Sequence, residues 1–141
     1  MRLTFAMCVC VLLPAIATCQ TGNDPEHVIR RMIDSGGFEG HDQKVIGPMG
    51  EAAAVLVTKI LAGRNLSSKD IDMALLVLEG SFADPSFVKL EADREPKTAL
   101  FVLKCFDSST NDPALKKRIA EAREYMQQRY AKFIQGNSRN N

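Results

Sequence analysis

Three times this chain writes aspartate followed by proline, at Asp24-Pro25, Asp84-Pro85 and Asp112-Pro113. The pair constrains the backbone in two ways at once. The carboxylate accepts hydrogen bonds from N–H groups that a first helical turn leaves orphaned. Proline brings a preset φ and lacks only an N–H that this turn would not use. Each pair therefore predicts the start of a helix. Glu95-Pro96 is a weaker version, because glutamate is a poorer cap. These starts, and the apolar spacing behind them, point to an all-α fold.

The spacing predicts a first helix over Pro25 to Ser35, with Val28, Ile29, Met32 and Ile33 on one face and Gly36-Gly37 ending it. A glycine-containing loop leads to a second helix over Lys44 to Ala62, kinked or starting late at Gly47-Pro48 and stopped by Gly63. Ser67 or Ser68 caps a third, reaching Phe82, with Ile71, Ala74, Leu75 and Leu78 in phase. A short turn of helix after Pro85 carries Phe87, Val88 and Leu90. Another helix runs from Pro96 to Phe106. The last extends from Pro113 to Ile134, turning Leu115, Ile119, Ala122, Met126 and Phe133 inward. The runs "LLVLE" and "LFVLK" are strand-like in composition, but no hairpin turns bound them and each continues a capped helical pattern.

The N-terminus reads as an address. Arg2 precedes an apolar run, Leu3 to Leu13, followed by Pro14 and an Ala-x-Ala site at Ala15–Ala17. The run is too short to span a bilayer as a helix, which takes about 20 residues, and the whole fits a secretory signal peptide. Cleavage after Ala17 or Cys19 predicts a soluble, secreted or periplasmic protein. "IATC" also resembles a lipobox, which would make Cys19 a lipid-modified anchor to the cell envelope. Removing the leader takes three of the four cysteines, Cys8, Cys10 and Cys19, so Cys105 is left with no partner for an internal disulfide. About 120 residues remain, enough for one domain with its own core. Arg2 goes as well, and the 17 acidic residues then face an equal number of basic ones. Such a balance offers no electrostatic footprint for nucleic acid, and a membrane enters only through the lipid at Cys19. The expected organisation is a leader over 1–19, a polar lead with a short helix and glycine-rich loop over 20–42, a helical domain over 43–134, and an unstructured tail over 135–141.

The helical domain repeats itself. Ala74, Leu75, Val77 and Leu78 return as Ala99, Leu100, Val102 and Leu103. Phe82 and Phe106 correspond after a one-residue gap, and both segments run on into Asp-Pro. Helices this apolar need neighbours on two sides, which stacking supplies. With "AAAVLVTKILAG", "DIDMALLVLEGSFADP", "EPKTALFVLKCF" and the closing "DPALKKRIAEAREYM", the chain over residues 45–130 resembles a short HEAT-like or armadillo-like helical repeat protein. The resemblance implies a right-handed solenoid-like stack of five to six helices, an irregular bundle being the alternative. It also implies a scaffold for protein–protein contacts without catalysis. The matching helices lie closer together than the 40 to 47 residues usual in those families.

Chemistry-bearing motifs are sparse. The two histidines, His27 and His41, show no zinc-ligand spacing. Glu39, His41 and Asp42 share a loop and are the least poor candidate for a small enzyme's site, although a solvated polar loop is the preferred explanation of them. Cys105 lies in "FVLKCF", where a thiol behaves as a small buried hydrophobe. Ser86–Lys89 matches Ser-x-x-Lys without its companion motifs. "GPMGEAA" lacks the Gly-Lys-Ser/Thr of a phosphate loop. Asn65-Leu66-Ser67 is a formal glycosylation sequon that also suits a helix cap. No cofactor or metal is called for. The expected function is an exported interaction module with a polypeptide partner, the alternative being a carrier of a small apolar ligand. Loops on a rigid helical frame concentrate binding residues, and aromatic and basic side chains anchor interfaces. By that reasoning Phe87, Lys89, Arg94 and Lys97 are the expected contact residues.

Overall fold

The computed structural model describes residues 24–84 and 93–138, all of it helix and connecting turns with no strand among them. The elements are α1 (Pro25–Ser35), α2 (Asp42–Ile46), α3 (Ala52–Leu61), α4 (Ser68–Ser81), α5 (Arg94–Ser109) and α6 (Pro113–Ser138). The helix expected after Pro85, with Phe87 and Lys89, falls outside the described residues, as do the leader and Cys19.

The caps do what their chemistry requires. Asp24 accepts the His27 N–H at 3.2 Å, with Pro25 opening α1. Gly36 ends that helix in the left-handed region at φ 69°, and its N–H reaches Met32 O at 2.9 Å. Ser67 and Asp70 form a reciprocal capping box at the start of α4. Asp112 accepts the Ala114 N–H at 2.9 Å. Glu95-Pro96 behaves differently. The helix there begins earlier, at Arg94, and Glu95 turns toward α6 to meet Arg129 at 2.7 Å and 3.2 Å. A buried cation partner outweighs the weak capping tendency of glutamate.

The single helix expected from Lys44 to Ala62 is two, separated by Gly47–Glu51. Gly50 turns the chain in the left-handed region at φ 55°, and its N–H donates to Ser81 O at 2.8 Å. Ser81 Oγ lies 3.1 Å from Gly50 O, and its buried hydroxyl ties the start of α3 to the end of α4. Gln43 Nε2 donates to Gly80 O at 2.9 Å, and a Cβ on Gly80 would come within 2.7 Å of Ile46 Cδ1. Glycine is therefore what lets α2 lie close against α4. At the other end of the chain, α6 continues to Ser138, four residues into the stretch expected to be unstructured.

Neighbouring helices pair as α1 with α2, α3 with α4 and α5 with α6, the last pair most extensively. The α3–α4 pair lies between the other two. α1 touches α3 and α4, α2 touches α4, and α5 touches α3 and α4 while α6 touches α4. One core runs through all three pairs, from Val28, Ile29, Met32 and Ile33 of α1 to Leu115, Ile119, Ala122 and Met126 of α6. The boundary expected at residue 42 is thus not a structural one, since α1 is part of the same core and α2 begins at Asp42.

The internal repetition has a physical counterpart. Between Ile71–Ser81 and Pro96–Phe106, a shift of 25 residues superposes buried on buried and exposed on exposed at every position except Met73 and Thr98. No gap is needed, because Phe106 takes the buried place of Ser81 rather than that of Phe82. The two helices are consecutive neighbours presenting the same faces. Neither is buried on most of its circumference, for Leu76 and Phe101 stand at equivalent exposed positions.

Candidate apolar groove between α3 and α5

Two helices define an open, mainly apolar surface. On α3, Val55 is 67% exposed, and on α5, Phe101 is 64% exposed. Both lie out of phase with the buried stripes of their helices, Ala54, Val57 and Leu61 on α3 and Ala99, Val102, Leu103 and Phe106 on α5. They rise as ridges on either side of a groove. At one end a cavity of about 360 Å³ is lined by Glu51, Ala54, Val55, Thr58, Lys97 and Phe101, with Thr98. A second, of about 400 Å³, continues from Thr58 past Leu61, Ala62, Gly63 and Arg64 to Cys105 and Ser109. The α3 wall is built from small side chains, Ala54, Thr58, Ala62 and Gly63, and these leave the space open.

Charge closes one end. Arg94 grips both carboxylate oxygens of Glu51, its Nη2 lying 2.7 Å from Oε2. The hydrogen bonds from Arg94 hold the Glu51 carboxyl below its ordinary pKa. Lys97 pairs with Asp93 one turn back and sits 5.5 Å from the centroid of the Tyr130 ring. That hydrogen bond lowers the pKa of Asp93 and raises that of Lys97. Of the four expected contact residues, Arg94 braces the end of the groove and Lys97 lines it, while Phe87 and Lys89 lie outside the described residues.

The neighbouring seam is shut. Between α1 and α3, Lys59 meets Glu26 at 2.6 Å and Arg64 meets Asp34 at 2.7 Å. Between α4 and α6, a smaller cavity of about 280 Å³ is crossed by the Asp72–Arg118 pair and bordered by Glu79 and Arg129.

Glu39, His41 and Asp42 do converge, around Arg31 of α1. Arg31 pairs with Glu39 at 2.9 Å and with Asp42, and the two nitrogens of His41 lie 3.3 Å from Glu39 and Asp42. Asp42 is fully buried and also accepts the Glu39 N–H at 2.8 Å. Its oxygens are spent on fastening the loop before α2 to α1. No group of three or more ligating side chains among the described residues could hold a metal ion. Cys105 is half-buried along the groove rather than sealed in the core.

Val55, Phe101 and Thr58 were not among the residues expected from sequence. Their signal was present as an apolar side chain on the polar phase of an amphipathic helix, where it is masked by the general apolarity of "AAAVLV" and "ALFVL". No family model, curated protein or solved structure matches this chain.

Proposed function

We propose that this protein is a secreted or envelope-anchored helical interaction module that binds a polypeptide along the α3–α5 groove without catalysing a reaction. The observation that carries the reading is the groove itself, open to solvent and flanked by Val55 and Phe101. An open apolar cleft between two exposed apolar side chains is a surface that the side chains of a partner can fill. The place of the α3–α4 pair between the other two pairs supports a short stack of the HEAT-like or armadillo-like sort, whose surfaces scaffold protein contacts. Export rests on the leader over residues 1–19, with Cys19 as the lipid-bearing residue if the chain is anchored. The enzyme reading is the weaker one, since Asp42 and Arg31 of the loop cluster hold each other. The carrier reading would need an enclosed apolar cavity, whereas the α3–α5 space is open.

The test compares wild type with Phe101→Ser in capture of partners from the fluid or envelope fraction into which the protein is exported. A polypeptide retained by wild type and lost by the variant, at unchanged helicity and melting temperature, supports the reading. Equal retention by both, or retention of none, overturns it.

A further inference from the structure

We propose that the occupant of the α3–α5 groove is a short amphipathic helix of a different protein, with an apolar stripe flanked by acidic residues. This rests on the reading of the groove as a polypeptide site and adds the conformation and charge of the partner.

The conformation follows from hydrogen bonding. Both walls are helices whose backbone groups are used internally, and the lining between Ala54 and Phe106 is mainly apolar. An extended peptide laid there would bring N–H and C=O groups with nothing to pair them, which is costly. A helix arrives with its backbone bonds already made and docks through side chains alone, at i, i+3, i+4 and i+7. The length fits as well. From Glu51 to Ala62 the α3 wall spans about 16 Å, roughly three turns of a partner helix. The small side chains of Ala54, Thr58, Ala62 and Gly63 give room for large apolar anchors.

A second copy of this chain is a poorer occupant. The exposed parts of Val55 and Phe101 amount to on the order of 200 Å², against about 800 Å² per partner in a standard interface. A flat pairing of two such patches falls well short.

The charge follows from what the walls carry. The chain as a whole is nearly neutral, at +1. Yet from Glu51 to Arg64 along α3 and from Arg94 to Phe106 along α5 there are five basic residues, Lys59, Arg64, Arg94, Lys97 and Lys104, against two carboxylates, Glu51 and Glu95, which Arg94 and Arg129 hold. Lys59 and Lys97 have exposed partners outside those spans, Glu26 and Asp93, while Lys104 has no ion pair among the described residues. Glutamates beside the apolar stripe of a partner meet these lysines, steer its approach and set its register.

The probes are two synthetic 14-residue helical peptides with the same leucine stripe, one flanked by glutamates and one by lysines, titrated by fluorescence anisotropy against the full chain. The acidic peptide is expected to bind at least tenfold tighter than the basic one, less so at high salt. Val55→Ser/Phe101→Ser should lose binding, and Lys59→Glu/Lys104→Glu should reverse the preference. All four side chains are exposed, and because Lys59→Glu also breaks the pair with Glu26, circular dichroism and the melting temperature of each variant check that the fold is kept. Equal binding of both peptides with Phe101 dependence overturns the acidic partner while leaving the groove as a polypeptide site. Binding of neither peptide, or binding indifferent to Val55 and Phe101, overturns the helical occupant. Displacement by a long-chain fatty acid, which alone shows Phe101 dependence, overturns the polypeptide reading itself.

Discussion

Replacing Arg129 by methionine isolates the most informative ion pair in the molecule. Arg129 joins α6 to Glu95 of α5 through two hydrogen bonds, and the side chains are only 25% and 15% exposed. At an effective dielectric of about 20, opposite charges 4 Å apart attract by about 4 kcal/mol. Burial works against this. Desolvation is the largest influence on Glu95 and raises its pKa above the ordinary value, ahead of the lowering by Arg129, with Glu79 adding a further push upward. The intact pair therefore contributes little net stability, while a Glu95 deprived of Arg129 is a buried charge without compensation. Breaking a fully buried pair costs about 3–5 kcal/mol, and the partial exposure here reduces that to roughly 2–3 kcal/mol at pH 7. For a domain of about 100 residues this is a fall in melting temperature on the order of 10–20 °C. The pH dependence identifies the cause. With its pKa raised, native Glu95 holds a proton over a window in which the unfolded chain has released it, so stability falls as pH rises through that window. In Arg129→Met the window widens upward. Near pH 3, where the carboxyl is protonated in both states, the loss should shrink to about 1 kcal/mol. Glu95→Leu/Arg129→Met should recover most of the stability at pH 7, because neither charge is then stranded. Urea titrations at the two pH values measure all of this. An equal loss at both, or a double variant no better than the single one, would refute the reasoning.

Gly36→Ala should cost about 1–2 kcal/mol, because φ is 69° there and a Cβ would collide with the Lys69 side chain; thermal melting measures it. Ser67→Ala removes one side of the capping box on α4 and should cost about 1 kcal/mol, visible as a lower urea midpoint at unchanged slope. Cys105, half-buried beside the groove, should react with a small thiol reagent in the native state more slowly than in urea but without global unfolding, and the docked acidic peptide should slow it further. Labelling that tracks the unfolding rate alone would mean the thiol is sealed in.

Much of the fold was legible because it depends on local chemistry. The bounds of α1 follow from Asp24, Pro25 and Gly36, whose preferences act within one turn. The inward stripe of α6 follows from Leu115, Ile119, Ala122 and Met126 at a spacing of three and four residues. Where the sequence misled, a distant partner had decided the outcome. Glu95 looked like a poor cap, and Arg129, 34 residues away, made it a buried clasp. Gly47-Pro48 signalled a kink or a late start and the helix does break there, but the turn that follows is fixed by Gly50 and by Ser81, 31 residues on. The loop trio of Glu39, His41 and Asp42 resembled the beginnings of an active site until Arg31 took up the buried carboxylate.

The groove belongs to the same class of feature, and it shows why binding surfaces resist reading from one chain. Val55 and Phe101 are unremarkable as letters in apolar runs. They flank a common groove because α3 and α5, separated in sequence by the whole of α4, lie side by side. The two seams of α3 then diverge for reasons of side-chain size and charge. Toward α1, Lys59 and Arg64 reach the acids Glu26 and Asp34 and bridge the gap. Toward α5, the wall of Ala54, Thr58, Ala62 and Gly63 is too short to reach across, and Glu51–Arg94 spans it at one end. Larger residues on that wall would have filled the space at a gain of about 0.8 kcal/mol per methylene buried. Under the reading proposed above, the apolar side chains of a partner supply the burial that these short wall residues leave unmade.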